Sequence, residues 1–367
     1  MSIETSPNSK SRLAIIIYGG FSARGGGVFT HVRTVERELK RRGWRVRIIT
    51  LDTLPLFLRF FPHIVEKFFN FFAMPLGFFY KGRLTRFLYR LIIREVADLY
   101  IFEDIYLSWP VDGPAVTFLH AIWSDNLQAY CLEQGVIDGL VSREAAIINQ
   151  IEHRVVTVSF PYRNYLEYSH FRDNAIARSI CVVELGLDID KFPLIARPVF
   201  ARSMIFCGSL EARKNLLFML QVLELVSEVD PTATLTIIGD GPDRRSLEKV
   251  AYDRQLSVNF KGRLSNDSVI DELQRHSIYL HSSIKESFSL ALLEAKLCGL
   301  TTCALSDLQV PNDFIDLGFE SFDARLWARA ILSVQQSTMS PKLREFSARR
   351  MVDSILDVAC VENVSGV

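Results

Sequence analysis

The sequence predicts an α/β protein with two Rossmann-like domains, each a doubly wound parallel sheet, that face each other across a cleft. Three observations support this fold class. The chain has 367 residues, which is too long for one ordinary hydrophobic core. Short apolar runs alternate with segments of helical length, as in parallel sheets. The alternation stops once, in a linker-like stretch at residues 196–202, and then begins again.

The first half begins with an apolar run at Leu13–Tyr18, which is typical of a buried parallel strand. A glycine-rich loop follows, and a helix is predicted for Val28–Arg42, which Gly43 ends. The next strand is predicted at Arg45–Leu51. Further strands of this half are predicted at residues 98–102, 115–119, 154–159 and 180–184.

The second half repeats the pattern from residue 203 onward. Its strands are predicted at residues 203–207, 234–238, 258–261, 278–282 and 301–304. Its helices are predicted at residues 215–229, 243–253, 267–275 and 290–298, with a final helix at 341–358. We therefore expect domains at residues 1–197 and 198–340, with the last helix, in residues 341–367, packing back on the first domain.

Charge is distributed unevenly along a chain whose formal net charge is zero. Residues 1–94 hold 17 Lys and Arg against 5 Asp and Glu, and the remainder holds 25 against 37. The basic first part is expected to face an anionic partner, which on charge alone is phosphate, lipid headgroups or nucleic acid. About half of the residues are apolar, as in a folded globular protein.

The six cysteines are scattered, and no C-x-x-C pair is present. A disulfide framework or a zinc site is therefore not expected, and a reducing compartment is the default. Residues 1–12 are polar and lack the apolar run of a signal peptide. These features predict a cytoplasmic protein.

The segment 53–94 combines aromatic and basic residues. Nine of the chain's 26 phenylalanines fall within residues 57–80. Arginines then recur at helical spacing beside an apolar face, at Arg83, Arg86, Arg90 and Arg94. Such a helix can lie in the interface of an anionic membrane, which would make the protein peripheral at the inner face of the cytoplasmic membrane. A buried helical hairpin whose arginines meet water has the same pattern.

The segment from Ser282 to Glu294 predicts a ligand site. We interpret it as the end of a strand, a loop of small residues and a helix that begins near Ser289. Free N–H groups at a helix start, with the helix dipole, bind diphosphate, and Ser289 can cap that helix. Because carboxylates repel phosphate, Glu286 and Glu294 need another role. Glu286 in the loop is expected to hold a sugar ring, and Glu294 in the helix a ribose.

Two glutamates with seven residues between them, in this setting, resemble the E-x7-E motif of the family 4 glycosyltransferases. These are retaining enzymes of the two-Rossmann (GT-B) class. The resemblance implies that the backbone at Phe288, Ser289 and Leu290 lies at the donor diphosphate. The family often has E-G-F-G here, whereas this chain has Ser287 and Ser289 in place of the glycines, which puts the loop geometry in question.

The loop Cys207–Asn215 is similar to the corresponding loop of this family. The resemblance implies that Gly208 and Ser209 line the donor. It also implies that Arg213 and Lys214 neutralise the charge on the departing diphosphate. Ser209 replaces an arginine that the family commonly has, so this duty falls on the two later cations.

Two glycine turns resemble further donor-binding turns of the family. Gly239 and Gly241 follow a strand and allow close approach to the nucleotide base, although an ordinary tight turn has the same sequence. Gly26 and Gly27 belong to the segment Gly25–His31, which resembles the family's G-G-x-x-x-H sequence and implies main-chain contact with the donor. His31 in the same segment is expected to be a packing residue.

Polar side chains also follow two strands of the first half. His120 resembles the histidine of the family's T-x-x-H sequence, which implies a hydrogen bond to the transferred sugar. Glu103 and Asp104 occupy the family's acceptor-side position. The predicted catalytic residues are His120, Arg213, Lys214 and Glu286.

The resemblance extends from residue 13 to about residue 356. It implies retaining transfer of a hexose from a UDP- or GDP-sugar to a glycan or glycolipid acceptor, in bacterial polysaccharide or lipopolysaccharide synthesis. Residues 1–197 would bind the acceptor, and residues 198–340 the nucleotide sugar. Because no D-x-D sequence follows a strand, we expect no metal or other cofactor, and we expect no nucleic-acid partner.

Two other functions remain open. The serine replacements leave room for a catalytically inactive partner subunit that keeps the fold and binds another transferase or the membrane. An epimerase of the same architecture is a third possibility, which Lys214 and the paired glutamates disfavour.

Overall fold

In a computed structural model, the chain forms two six-stranded sheets, and every strand pair in both sheets is parallel. The structure describes residues 11–22, 26–72, 77–127, 134–174, 176, 180–192, 202–334 and 341–360. Residues 196–201 of the predicted linker, with the predicted domain boundary, lie outside these residues, as do Gly25 and Cys131.

The N-terminal sheet has the strand order β2-β1-β3-β4-β5-β6. Its strands are β1 (Leu13–Ile17), β2 (Arg45–Ile49), β3 (Leu99–Phe102), β4 (Ala115–Leu119), β5 (Arg154–Thr157) and β6 (Cys181–Val182). Its helices are α1 (Gly27–Arg41), α2 (Leu56–Arg59), α3 (Phe61–Phe72), α4 (Gly77–Ile92), α5 (Trp123–Leu127), α6 (Gln134–Gln150) and α7 (Phe160–Tyr165). All residues of β1, β3 and β4 are buried, which explains why these strands read as unbroken apolar runs.

The C-terminal sheet has the strand order β12-β11-β10-β7-β8-β9. Its strands are β7 (Ser203–Cys207), β8 (Thr234–Ile238), β9 (Val258–Gly262), β10 (Ile278–His281), β11 (Thr301–Leu305) and β12 (Leu317–Phe319). Its helices are α8 (Leu216–Val229), α9 (Arg244–Asp253), α10 (Asn266–Leu273), α11 (Leu290–Leu297) and α12 (Ala324–Ser333), and α13 (Ala348–Cys360) follows.

Each sheet has a point at which the winding direction reverses. In the N-terminal sheet the reversal lies between β1 and β3, and in the C-terminal sheet between β7 and β10. Ligands of open α/β sheets bind in the crevice beyond the carboxyl ends of the strands at such points. The two sheets thus offer two crevices, and the loops that follow these four strands line them.

Helices α2 to α4 form an outlying layer on the N-terminal sheet, where α3 packs along α4. The buried face of α4 includes Thr85, Leu88 and Tyr89, and the Tyr89 hydroxyl donates to the carbonyl of Tyr18 at 2.9 Å. The predicted apolar face of this helix is divided, because Leu88 is buried whereas Phe87 and Leu91 are exposed. Among the described residues, we find no helix with the length and apolarity to cross a membrane.

The C-terminal segment contacts the N-terminal sheet. Leu187 and Ser347 form a parallel bridge, in which the Leu187 N–H donates to the carbonyl of Phe346 at 3.0 Å. Helix α13 packs on α1 and β4, and Arg42 donates to Asp353 at 2.6 Å. A β-carbon on Gly186 would lie 2.3 Å from the Ser347 carbonyl oxygen, so only glycine permits this approach.

Several predicted elements differ from the observed ones. The final helix expected at 341–358 is a 3-10 turn at Pro341–Glu345 followed by α13, because the bridge to Leu187 interrupts it at Ser347. The strand expected at 180–184 is only two residues long. Strand β12 and helices α5, α6, α7 and α12 were not predicted.

Replacing Gly186 with alanine is expected to lower the melting temperature and to expose α13 to protease. The physical reason is the overlap between the new β-carbon and the Ser347 carbonyl. Gly139→Ala on α6, where a β-carbon meets open space, is the matched control and is expected to be neutral or stabilising. Thermal unfolding and limited proteolysis make the measurement, and equal behaviour of the two variants contradicts the prediction.

Candidate functional site

Two loops of the C-terminal sheet meet at the reversal between β7 and β10. The Ser282 hydroxyl donates to the carbonyl of Lys214 at 2.7 Å and lies 3.0 Å from that of Asn215. The N–H of Ile284 donates to the carbonyl of Arg213 at 3.0 Å. These backbone contacts hold the two predicted donor-binding segments, 207–215 and 282–294, against each other.

Lys214 and Glu286 form an ion pair at this junction. The side chains of both residues are largely buried, with exposed fractions of 11% and 13%. His281 Nε2 lies 3.4 Å from the same carboxylate oxygen of Glu286. Burial alone would raise the pKa of Glu286, but Lys214, His281 and Arg213 together lower it well below its usual value. Glu286 is therefore a carboxylate at neutral pH.

Arg213 and Ser209 share one acceptor that sequence analysis did not identify. The Arg213 guanidinium and the Ser209 hydroxyl each donate to Oε1 of Glu211 at 2.7 Å. Glu211 therefore directs Arg213, and Ser209 takes part in the same contact. Asn215, which precedes α8, has a left-handed backbone with φ of 49°, so the chain turns sharply directly after Lys214.

The start of α11 has an unusual backbone. Ser289 has φ of 64°, in the left-handed region that favours glycine, and its hydroxyl accepts from the N–H of Leu292 at 3.3 Å. Ser289 thus caps the helix while it adopts a backbone conformation that favours glycine. The Phe288 side chain is buried against Phe314 and Phe346, so only its backbone is placed to meet a ligand.

Glu294 lies in the second turn of α11. Burial raises its pKa from the ordinary value of 4.5 to about 7. A carboxyl group in this state accepts hydrogen bonds from hydroxyl groups when it is ionised and can also donate when it is protonated. The ribose contact expected for Glu294 is compatible with either form.

Gly239 and Gly241 have a structural reason to be glycine. A β-carbon on Gly239 would lie 1.8 Å from the carbonyl oxygen of Gly208, and one on Gly241 would lie 2.2 Å from that of Leu210. The N–H of Leu210 donates to the carbonyl of Asp240 at 3.1 Å. These glycines therefore pack two loops together, and the contact with the nucleotide base expected for them stays a prediction.

A cavity of about 360 Å³ lies at the reversal of the N-terminal sheet. The loops after β1, β3 and β4 line it, together with helix α4 and Val28 of α1. Among its lining residues are Tyr18, Lys81, Glu103, Asp104, Tyr106 and His120. Its volume falls at the lower end of the range for small-molecule sites, about 300–1,000 Å³.

Glu103 is enclosed by two histidines. His120 Nε2 lies 2.7 Å from Glu103 Oε2, and His31 Nε2 lies 3.5 Å from the same oxygen. Burial raises the pKa of Glu103 against the opposing effect of His120, and it lowers the pKa of His31 well below its usual value. Glu103 orients His120 through Oε2, whereas its buried Oε1 has no hydrogen-bond partner among the described residues, so the acceptor contact expected for Glu103 stays a prediction. His31, expected to be a packing residue, is part of this cluster.

Asp104 remains on the cavity wall. Its carboxylate accepts from the N–H of Tyr106 at 2.9 Å. Burial raises its pKa to about 6, against the opposing effects of that N–H, His120 and Lys81.

Gly26 and Gly27 lie at the start of α1, after the loop that follows β1. A β-carbon on either glycine would meet nothing within 4 Å. Open space therefore surrounds the α1 start.

The two crevices adjoin. The Ser287 hydroxyl donates to the carbonyl of His120. Ser159 donates to the carbonyls of Ser287 at 2.7 Å and of Gln309 at 2.9 Å. The loop that carries Glu286 therefore lies against the loop that carries His120. The sugar and nucleotide contacts expected for the residues of these loops stay predictions.

Four residues that approach this junction were not identified from the sequence. They are Asp125, His281, Glu211 and Lys285. Lys285 forms an ion pair with Asp125 across the two halves. Their positions after strands or beside Glu286 are visible in the sequence, but their partners lie on distant segments. Only the position of each residue in the chain could have suggested a role at the site, because no regular spacing links these residues to their partners.

Family comparisons agree with this geometry. Residues 25–191 match the family model described as "Glycosyltransferase Family 4", and residues 198–344 match "Glycosyl transferases group 1". The two ranges together cover most of the chain, and they divide it between the two sheets.

Among curated relatives, the gpi3 subunit of phosphatidylinositol N-acetylglucosaminyltransferase from Schizosaccharomyces pombe is 32% identical over 100 residues. That match covers 27% of this chain and 22% of the relative. The glycogen synthase of Mycobacterium tuberculosis is 24% identical over 265 residues, which cover 69% of this chain and 62% of the relative. The chain thus spans less than two thirds of both relatives.

Solved structures share the whole fold. Sucrose-phosphate synthase from Thermosynechococcus elongatus has a TM-score of 0.67 at 15% identity, with 96% of both chains covered. WaaG, a glycosyltransferase involved in lipopolysaccharide biosynthesis, has a TM-score of 0.62 at 15% identity, covering 97% of this chain and all (100%) of that one. HepE from Anabaena, solved with UDP and glucose, has a TM-score of 0.57 at 14% identity, covering 97% and 100%. The predicted fold class of two facing Rossmann-like domains is confirmed.

The raised pKa of Glu294 predicts a pH-dependent stability. Between its ordinary pKa of 4.5 and the folded value of about 7, the folded protein retains a proton that the unfolded chain has released. The contribution of Glu294 to the free energy of unfolding therefore falls as the pH rises from 4.5 to about 7. The melting temperature of the wild type is expected to fall relative to that of Glu294→Gln between about pH 5 and about pH 8.

Thermal unfolding at the two pH values makes the measurement. Glu320→Gln, at an exposed glutamate of the same half, is the control and is expected to show no such trend. A difference between wild type and Glu294→Gln that is the same at both pH values contradicts the assignment.

Proposed function

We propose that the chain, whose residues 198–344 match the group 1 glycosyl transferases, transfers a hexose from a UDP- or GDP-sugar with retention of anomeric configuration. The acceptor in this proposal is a glycan or glycolipid of cell-surface polysaccharide synthesis. The observation that carries the proposal is the Lys214–Glu286 pair at the reversal of the C-terminal sheet. In this pair a cation suited to phosphate lies beside a carboxylate suited to sugar hydroxyls.

In this proposal the donor lies along the C-terminal crevice. Lys214 and Arg213 contact the diphosphate, and the start of α11 at Ser289 and Leu290 adds its backbone N–H groups and the helix dipole. Glu286 accepts hydrogen bonds from the hexose, and Glu294 from the ribose. Nucleotides and sugars appear together in some structural neighbours, such as HepE with UDP and glucose. The two cations stabilise the charge that develops on the departing diphosphate.

In this proposal His120 contacts the transferred sugar from the N-terminal half, opposite the donor contacts of the C-terminal half. Because Glu103 holds one ring nitrogen, the imidazole has a fixed orientation, and its other nitrogen can meet the substrate. Glu286 is paired with Lys214, and Glu103 with His120, so neither carboxylate is arranged as a free nucleophile. A loose transition state with oxocarbenium character, stabilised by the two cations, suits these residues. The proposed reaction needs no metal.

The acceptor would enter the N-terminal cavity. Asp104 lies on its wall, and the unpartnered buried hydroxyl of Thr85 on α4 also borders it. A sugar or polyol would supply hydroxyl groups to both. The cavity adjoins His120, so an acceptor hydroxyl there would lie near the sugar to be transferred.

We also propose that residues 53–94 bind the surface of an anionic membrane from its cytoplasmic side. Helices α2, α3 and α4 expose several large apolar side chains, with Phe57 80% and Phe71 83% exposed. Arg83 and Arg90 are exposed on the helix that carries Phe87 and Leu91, and the exposed Arg94 follows two residues after its end. An amphipathic surface of this kind binds the lipid interface through apolar burial and attraction to anionic headgroups. A lipid-linked acceptor would then be presented beside the cavity.

Removing the charges of Lys214 and Glu286 tests the proposed transferase activity. Lys214→Met and Glu286→Gln are each expected to lower transfer by at least about a hundredfold, as does the loss of a group that stabilises developing charge. The measurement is release of nucleotide from UDP- and GDP-sugars in the presence of acceptor extracts, with folding checked by thermal unfolding. Lys249→Met and Glu320→Gln, at exposed positions of the same half, are the controls.

Wild-type turnover in both site variants would overturn the proposal. If no nucleotide sugar is consumed and none raises the melting temperature of the wild type, the chain is an inactive partner of another transferase. Free sugar released without acceptor, at full rate, would instead indicate an epimerase.

Membrane binding is tested by flotation with vesicles that contain phosphatidylglycerol. Arg83, Arg90 and Arg94 changed together to glutamate are expected to abolish flotation, because each basic residue near such a surface contributes about 1 kcal/mol. Arg86 is left intact because it donates to the carbonyl of Ser108 at 3.2 Å. Changing Arg245, Arg325 and Arg329 of the other half to glutamate is the matched control. Equal flotation of both triple variants would remove this proposal.

A further inference from the structure

We propose that Lys285 and Asp125 form a closure latch that positions Glu286 when the two halves come together. The inference rests on the proposed function, since it assigns a role to contacts beside the donor site. Lys285 belongs to the loop after β10, and Asp125 to helix α5 of the N-terminal half. The Lys285 ammonium contacts a carboxylate oxygen of Asp125.

The closure latch includes a third residue, Tyr165. The Tyr165 hydroxyl donates to Oδ1 of Asp125 at 2.6 Å, and the Lys285 ammonium lies 3.2 Å from that hydroxyl. The ammonium also lies 5.4 Å from the centre of the Tyr165 ring. The Asp125 side chain is 6% exposed and that of Lys285 28%. A charge pair this enclosed is stronger than a surface pair, and removal of one partner leaves the other poorly solvated.

Contacts on both sides of Glu286 run to the N-terminal half. Lys285 binds Asp125, and the Ser287 hydroxyl donates to the carbonyl of His120. Between them, Glu286 turns to Lys214 of its own half. Contacts with both halves therefore hold three consecutive residues of this loop. The loop conformation around Glu286 depends on contact between the two halves.

Helix α5, which carries Asp125, is itself held at the acceptor cavity. Oε1 of Glu144 accepts from the N–H of Trp123 at 2.9 Å and from that of Ser124 at 3.2 Å. The same oxygen accepts from the hydroxyl of Tyr106 at 2.6 Å, and Tyr106 lines the cavity. Hydrogen bonds to the buried Glu144 therefore hold the helix that carries Asp125 beside the cavity. Lys285 and Asp125 are positioning residues in this assignment, because they act through Glu286 and His120.

The latch predicts a specific kinetic signature. The nucleotide contacts proposed above all lie on the C-terminal half, so nucleotide affinity should hardly depend on the latch. Turnover requires Glu286 and His120 to face the same sugar, so turnover should depend on it. Loss of the latch therefore lowers kcat and leaves the Kd for UDP or GDP nearly unchanged.

The test compares Lys285→Met, Asp125→Asn, the double variant and the conservative Lys285→Arg. Each single neutral variant is expected to lower kcat by at least about tenfold, while nucleotide Kd changes by less than about twofold. The double variant is expected to lose less than the two single losses combined, because both changes remove the same Lys285–Asp125 contact. Lys285→Arg is expected to retain most activity. Lys249→Met, in the exposed Lys249–Asp253 pair, is the matched control.

Small-angle scattering of the nucleotide-bound protein gives a readout that needs no turnover. The radius of gyration is expected to be larger for Lys285→Met and Asp125→Asn than for the wild type and Lys285→Arg. Equal radii, unchanged kcat in Lys285→Met, or additive losses in the double variant would each overturn the latch. A wild type that consumes no nucleotide sugar would refute the proposed function, whereas the scattering comparison would still decide on the latch.

Discussion

The candidate site depends on an ion pair between Lys214 and Glu286 that is largely withdrawn from water. Two charges in such a place are tolerated only when each compensates the other, because an unpaired one would carry a large desolvation cost. The pair forms where β7 and β10 diverge, and the backbone contacts from Ser282 and Ile284 hold its two loops in register. A ligand with phosphate on one side and hydroxyl groups on the other could replace each partner's contact with a stronger one.

The serine replacements in the loop after β10 illustrate how a departure from a family pattern is absorbed. Ser289 takes the left-handed backbone of a glycine, which costs about 1–2 kcal/mol for a residue with a side chain, and its hydroxyl caps α11 in return. Ser287 uses its hydroxyl to bind the carbonyl of His120. The glycine pattern would supply neither hydrogen bond. These serines therefore make the loop stiffer and more dependent on the N-terminal half.

Helix α4 serves two surfaces at once. Phe78, Lys81, Gly82 and Thr85 follow helical spacing and line the cavity. Arg83, Phe87, Arg90 and Leu91 follow the same spacing on another face and are exposed. One helix is therefore both a wall of the cavity and an apolar and basic outer surface, and the proposed acceptor and membrane roles both depend on it. The Phe78 ring stacks on Trp123 at 4.3 Å, which ties α4 to the helix that carries Asp125.

The two parallel sheets, most strand positions and the loop-to-helix segments at residues 207–215 and 282–294 are predictable from local sequence. Buried strands need unbroken apolar runs, and helix starts need caps, so local composition is sufficient for these features. The partners of individual side chains follow from the packing of the folded chain. Glu103 contacts His120, Gly239 and Gly241 pack on another loop, and Asp125 pairs with a lysine 160 residues away. Partners of this kind are set by the packing of distant segments, and the spacing of residues along one chain carries no record of it.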